Sequence, residues 1–415
     1  MINRAPLKCK ECNTEILTRT AIGHSKYMEF AFPCPTCGIE IRFGMDISVE
    51  NIPFKYVNLV NADWIDYKED ISNVVVLDGE SLIPISSANN DFSPFIATSM
   101  LANDIMKFHS EQSKRMQLVN SFWPELDKSI HFHETGNKEL LIKAFKEQGS
   151  DTNFDRNEDL LLELLNRIDF YSEAFRMRND DVDKIMKRIR LAEILSKENV
   201  EKFHHEIINK GIHKQLYSEM NRIRKAWVNY YSFLAPIFNV FYWDGAKHDI
   251  KGYTICQKRF HEMKVFYVDC YETFCRYSSL ATMLEGIILL GKCSIPRGKG
   301  EMTFEEYWKL PNGKKSDILK NLPIIENIFV PYIDSKLRNG IGHHTANYSV
   351  KNDSIEYSNT SSHGVQNFNI SYILFCEKVV QLYIQLETVF LYWEYTLIED
   401  SLLEKKQRRG LKINS

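Results

Sequence analysis

Four of the nine cysteines stand in two Cys-x-x-Cys pairs, Cys9-Lys10-Glu11-Cys12 and Cys34-Pro35-Thr36-Cys37, the second followed by Gly38. Two such turns present four thiolates at the corners of a tetrahedron, the arrangement Zn²⁺ prefers, and Gly38 permits the turn that aims the sulfurs inward. We read one structural zinc per chain, held by Cys9, Cys12, Cys34 and Cys37, with a redox dithiol as the competing use. Four protein ligands leave no open position for a water, so no catalytic metal is expected. The other five cysteines are scattered and read as buried thiols. An odd count in so long a chain fits a reducing, cytoplasmic compartment.

The second chemical feature is Arg338-Asn339-Gly340-Ile341-Gly342-His343-His344. His titrates near pH 7 and can take or give a proton, whereas Arg is a fixed cation suited to a phosphate carrying extra charge. Asn339 and His343 are four apart, so on a helix they share a face and Asn339 can orient the ring. Arg338 and His343 are five apart, about 140° round a helix. They converge on one phosphate only if the helix breaks at Gly340 or Gly342, or if a second chain supplies the partner. His344 is a second candidate base. Glu285, an acid in an otherwise apolar run, faces either a polar site within a bundle or solvent. The bland alternative pairs Arg338 with Asp334 and uses the histidines to close a helix end. Arg19 and His24 stand at the same spacing without any such context, so context must carry the weight.

That context is an amphipathic run with Ile324, Ile325, Ile328, Phe329, Ile333 and Leu337 upstream, then Arg338-Asn339, two glycines, two histidines, a hairpin signal and a long apolar helix. Over roughly 213–400 this resembles the higher-eukaryote and prokaryote nucleotide-binding family, HEPN. Its ribonuclease members carry an Arg, a polar residue, a short spacer and a His, here Arg338, Asn339 and His343. The resemblance implies a four-helix core, metal-independent cleavage of RNA through its own 2′-hydroxyl, pairing of two bundles as a homodimer, and a role as a toxin or abortive-infection effector in a bacterium. The cysteine pairs with their flanking strand-like residues resemble a zinc ribbon over about 5–45. Lys8, Lys10, Arg19, His24, Lys26 and Arg42 would allow that ribbon a phosphate contact, but Glu11, Glu15, Glu29 and Glu40 offset them.

The elements that must position these residues follow from periodicity. Alternation at 39–43 and 56–60 and the β-branched run 74–77 read as strands. From about residue 95 the period becomes helical, over 95–116, 138–148, 159–175, 180–196 and 199–210. Longer, more apolar helices are expected at 213–243, 260–290, 323–340 and 371–400. The last is apolar almost all round and has to be covered on most sides, in a bundle centre or at an interface between chains. Two strand-like runs around Lys351-Asn352-Asp353 read as a hairpin. The aromatic run from Tyr230 to Trp243 has helical spacing and reads as core rather than a base-stacking surface.

The fold expected is mainly α: a zinc ribbon at 1–50, a small β-rich segment at 51–94, a middle helical region at 95–212, a HEPN-like helical bundle at 213–402 and a basic tail at 403–415. With 415 residues, 44% hydrophobic and 26% charged, the chain has the composition of a folded protein rather than a disordered one. A net charge of −3 excludes a polycationic nucleic-acid binder. No apolar stretch approaches the ~20 residues that span a bilayer, and the N-terminus lacks a signal core, so no membrane partner is expected. The expected function is an RNA-cleaving enzyme. The alternative, from another class, is a non-catalytic nucleic-acid-binding or sensor protein whose bundle only dimerises.

Overall fold

A computed structural model describes the chain except residues 1, 22, 24, 48–54, 86–93, 95–97, 99–104, 177–178, 245–248, 298–299, 321, 323–332, 362–363 and 409–415. Helix makes up 57% of it, and the fold is mainly α. The start of the helix expected at 95–116 and most of the one expected at 323–340 lie outside the described residues.

The N-terminal strands are β1 (Ile2–Cys9), β2 (Glu15–Ala21), β3 (Tyr27–Pro33), β4 (Glu40–Asp46), β5 (Lys55–Val60), β6 (Ala62–Trp64), β7 (Val74–Asp78) and β8 (Ile83–Pro84). β1 to β7 form two sheets, β6-β1-β2-β7 and β3-β4-β5, and β8 pairs instead with the later strand β9 (Tyr253–Thr254). Among the described residues of 51–94, β5 extends one hairpin, and β6 and β7 flank the other. A lone two-stranded hairpin is marginal in water, and the added strands supply the missing cover. Leu7, Ile16, Met28, Phe30, Ile41, Phe43 and Met45 form one buried cluster between them.

The helices follow as α1 (Ile105–Gln117), α2 (Trp123–Glu134), α3 (Lys138–Glu147), α4 (Asn157–Glu173), α5 (Asn179–Asn209) and α6 (Ile212–Asp244). A π-helical turn, Leu118–Phe122, joins α1 to α2. The break expected between 196 and 199 is a kink at Ser196 within α5. Next come β9 (Tyr253–Thr254), α7 (Phe260–Leu290), β10 (Ile295–Arg297), β11 (Gly300–Met302), α8 (Phe304–Trp308), α9 (Asn312–Leu319) and α10 (Ser335–Gly342). Strands β12 (Asn347–Ser349), β13 (Ser354–Ser361) and β14 (Gly364–Ser371) form a three-stranded sheet, and α11 (Tyr372–Arg408) ends the described chain. The first residues assigned to a basic tail thus continue α11. No described helix is long and apolar enough to cross a membrane.

The chain divides into two compact units, and neither is a continuous stretch. The first takes Met1–Gln117, Val228–Val268 and Lys336–Val380; the second takes Leu118–Trp227, Asp269–Ser335 and Gln381–Ser415. Helices α6, α7 and α11 each contribute to both, so a division of the sequence into successive segments does not reproduce the units.

In the second unit α6, α7 and α11 pack through aromatic pairs. Trp227 stacks on Tyr383 with centroids 4.0 Å apart, and Tyr277 meets Trp393 edge-on at 5.7 Å. Val379, Leu382, Leu386, Val389, Phe390 and Trp393 are all fully buried within the chain. The described apolar residues of α11 from Val379 to Trp393 are therefore covered within the chain, with aromatic side chains from α6 and α7 packed against them. Of the aromatic run on α6, Tyr231, Phe233 and Phe238 are buried and Tyr230 is half-buried, while the side chains of residues 241–243 lie outside those described.

A buried ion pair crosses this bundle. Arg224 Nε and Nη2 donate to Glu387 at 3.0 and 2.7 Å, Nη2 also donates to Ser172 Oγ at 2.9 Å, and Tyr383 Oη donates to Glu387 at 2.5 Å. The guanidinium lies 4.2 Å from the Phe390 ring centroid. Removing one partner of such a pair strands a charge in low dielectric, so Glu387→Ala is expected to cost about 3–5 kcal/mol, measured by denaturant unfolding. Nearby, burial pushes the Glu394 carboxyl up to about 8, against the opposing pull of Arg224. The folded state then keeps a proton that the unfolded chain releases near pH 4.5, so stability falls as pH rises from about 4.5 to 8. Glu394→Gln is expected to flatten that fall, by a few kcal/mol at pH 8 relative to pH 4.

Candidate functional site

The two Cys-x-x-Cys turns sit at the tips of two hairpins. Cys9 ends β1 and Cys12 lies in the turn to β2; Cys34 and Cys37 lie in the turn from β3 to β4. Each turn is closed in the same way. Asn13 N–H donates to Cys9 C=O at 3.0 Å, and Gly38 N–H donates to Cys34 C=O at 2.9 Å. Asn13 and Gly38 both take positive φ, +58° and +77°. The residue after each pair is therefore the left-handed one, filled in the first turn by Asn, which tolerates that region better than most side chains.

The four sulfurs lie within 4.8 Å of one another, with Cys9 Sγ 3.7 Å from Cys37 Sγ and Cys12 Sγ 3.6 Å from Cys34 Sγ. A tetrahedron with metal–sulfur bonds of about 2.3 Å has edges of about 3.8 Å. The cluster thus fits a metal ion with four thiolate ligands. The thiols titrate together: hydrogen bonds from the Thr14 side chain and backbone hold Cys12 below the usual thiol range, whereas Cys37, despite a backbone hydrogen bond at Ile39, is held above it by burial and by the neighbouring thiols.

The Arg…His motif lies on α10 and its exit. Leu337, Gly340 and Ile341 are buried, Arg338 is half-buried, and Asn339, His343 and His344 are exposed. Neither glycine breaks the helix. His343 N–H still donates to Asn339 C=O at 2.9 Å. The end is then closed by His344 N–H to Ile341 C=O at 3.1 Å and Thr345 N–H to Gly340 C=O at 2.9 Å, with His344 at φ +58°. These two bonds are the Schellman pattern, with His344 in the place glycine usually takes. His344 is therefore fixed by backbone geometry at the helix end, and the break that would bring Arg338 and His343 together in one chain does not occur.

Gly340 has a different task. A Cβ there would fall 2.8 Å from the Tyr357 ring, so only glycine lets α10 lie this close to β13. Further ties bind the helix to the sheet: Thr345 Oγ1 donates to Ser358 C=O at 2.7 Å, and Asn359 Nδ2 donates to Lys336 C=O at 2.8 Å. The exposed residues therefore project from a braced element rather than a loop. Arg338 Nη1 donates to Asn339 Oδ1 at 3.2 Å, so the Asn339 amide orients the guanidinium and not, as expected, the His343 ring. Lys336 lies on the same short helix, its Nζ 4.9 Å from the Phe368 ring centroid.

Glu285 is placed otherwise. It is buried on α7, where Arg188 Nε and Nη2 hold both carboxylate oxygens at 2.7 and 2.5 Å. This is a fork-to-fork structural pair within the second unit, and it leaves the carboxylate no free role in proton transfer. Comparison of the chain with family models, with characterised proteins and with solved structures gives no match. The functional reading rests on the residues themselves.

Proposed function

We propose that the protein is a metal-independent endoribonuclease of HEPN type, with Arg338, Asn339 and His343 as its site residues and His344 beside them. The observation that carries this reading is a braced helix with Asn339 and His343 exposed and a half-buried Arg338 steered by Asn339. A 2′-hydroxyl of RNA attacks the adjacent phosphorus, forming the 2′-O–P bond and breaking the P–O5′ bond. The 2′-hydroxyl proton passes to a histidine acting as base, and a protonated histidine delivers one to the leaving 5′-oxygen. Arg338 stabilises the charge that builds on the phosphorane oxygens.

Because α10 is unbroken, Arg338 and His343 diverge by about 140°. Two copies of the motif facing each other across a two-fold axis supply one phosphate with two Arg and two His, so the active species is a homodimer. The four cysteines hold one structural Zn²⁺ per chain. With its positions filled by thiolates, that ion takes no part in the cleavage.

The biological role that follows is a toxin or abortive-infection effector in the cytoplasm. Induced expression in a bacterial host tests it: the wild type is expected to arrest growth with fragmented RNA, and His343→Ala to grow normally. Equal toxicity of the two proteins would overturn the reading. The same divergence of Arg338 and His343 favours, as a second reading, a non-catalytic nucleic-acid-binding protein, which would retain RNA intact and lose little on His343→Ala.

A further inference from the structure

Within the first unit a cavity of about 430 Å³ lies beside β7, walled by Phe32, Val75, Ile83, Ile255 and Val350 and closed at one end by the turn between β12 and β13. Its size is that of a ligand pocket and its walls are apolar. The polar end is self-contained. Asp353, at φ +46° in the turn, accepts from Lys258 Nζ at 2.7 Å, Thr254 Oγ1 at 2.6 Å and Tyr348 Oη at 2.9 Å. That network fixes the wall and leaves a ligand to find its polar partners elsewhere.

Those partners are on β7, an edge strand in the order β6-β1-β2-β7. β7 runs parallel to β2, and Leu17 N–H donates to Asn73 C=O at 2.8 Å. In a parallel ladder with that register, residues 73, 75 and 77 direct their backbone groups to β2, so the N–H and C=O of Val74 and Val76 point outward. The far end of the edge is occupied: Asp78 N–H donates to Cys256 Sγ at 3.0 Å, and Cys256 Sγ donates to Asp78 C=O at 2.8 Å. At Val74 and Val76 no hydrogen bond is made on this side among the described residues, although both residues line the cavity and are half-buried. Unpaired backbone groups beside an apolar space are costly unless something pairs them.

We propose that this edge is a docking site for an extended segment of a partner protein, which adds to β7 as a strand and places apolar side chains at alternate positions in the cavity. Two N–H/C=O pairs two residues apart, about 6.6 Å, match the repeat of an extended peptide and no compact apolar molecule. β-Branched side chains in an uncharged stretch fit the apolar walls, since Lys258 with Asp353 and Glu40 with Arg42 are already paired within the chain.

The probe is a capped, fluorescent hexapeptide of alternating valine and threonine, titrated into the full chain by anisotropy. Saturable binding is expected. In a strand, alternate amides face opposite edges, so N-methylation of either the valine amides or the threonine amides is expected to weaken binding about tenfold or more, while methylation of the other set leaves it nearly unchanged. On the protein side, Val76→Pro removes the outward N–H while sparing the pairing with β2, as edge strands tolerate, and is expected to weaken binding to the same degree; Val76→Thr is expected to retain it. Equal effects of the two methylations would mean an apolar cleft without strand pairing. That result, undiminished binding to a folded Val76→Pro protein, or no binding of the unmodified peptide, would overturn the proposal.

Discussion

Replacing His343 by alanine is expected to lower RNA cleavage by about 10²–10⁴-fold, and replacing Arg338 by about 10³-fold, with folding unchanged. His343 is exposed and Arg338 half-buried, and the buried residues of α10 are others. Leu337, Gly340 and Ile341 keep the helix seated in both variants. Asn339→Ala is expected to act more mildly, because it loosens the Arg338 guanidinium without removing a charge. Since one unbroken helix does not aim Arg338 and His343 at one point, the two defective proteins should complement each other. Mixing Arg338→Ala with His343→Ala, under conditions where protomers exchange, is expected to restore part of the activity, because some mixed dimers contain one intact set. A mixture as inactive as its components would remove the shared site from the account.

Stripping metal from the cysteine cluster, or making Cys34→Ser, is expected to unfold the N-terminal sheets. Binding energy at a four-thiolate site is folding energy, about 10–16 kcal/mol in small zinc domains, well above what a single core contact supplies. Here the two ligating turns clamp two hairpins, and Cys9 and Cys34 belong to the same buried cluster as Phe30 and Phe43. Losing one thiolate opens the clamp and exposes that cluster together. The long helices depend on their own aromatic and ionic contacts, so the helical far-ultraviolet signal should persist while zinc content drops from about one per chain. Metal-free protein with an intact N-terminal sheet would refute this.

Local features were legible in the sequence, and long-range ones were not. The two cysteine pairs and the hairpin at Lys351-Asn352-Asp353 announce themselves within a few residues because turns are local. The range 260–290 was read to the residue because its apolar period is sustained. Asn13 carried a readable signal, standing after its Cys-x-x-Cys pair as Gly38 does, yet Asn is common outside turns and the parallel was missed. Strand β14, with the sequence Gly-Val-Gln-Asn-Phe-Asn-Ile-Ser, escaped because it is mostly exposed and shows only a weak apolar alternation. Helix α2 escaped because Pro124 reads as a break, whereas proline at the start of a helix is well tolerated. Partnerships such as Arg224 with Glu387, or Arg188 with Glu285, join residues far apart in the chain, and nothing local specifies them. The apolar last helix shows the same limit: its composition requires cover, but only the fold reveals that the chain buries Val379, Leu386 and Trp393.

The most direct test of the central claim is cleavage of one RNA in EDTA, beside the same RNA carrying a single 2′-deoxy sugar at each cut site. The ribose substrate is expected to be cut, leaving 2′,3′-cyclic phosphate and 5′-hydroxyl ends, with the deoxy positions spared and His343→Ala inert. Cleavage that requires added Mg²⁺, or that proceeds at the 2′-deoxy positions, would contradict an attack by the RNA's own hydroxyl at Arg338 and His343.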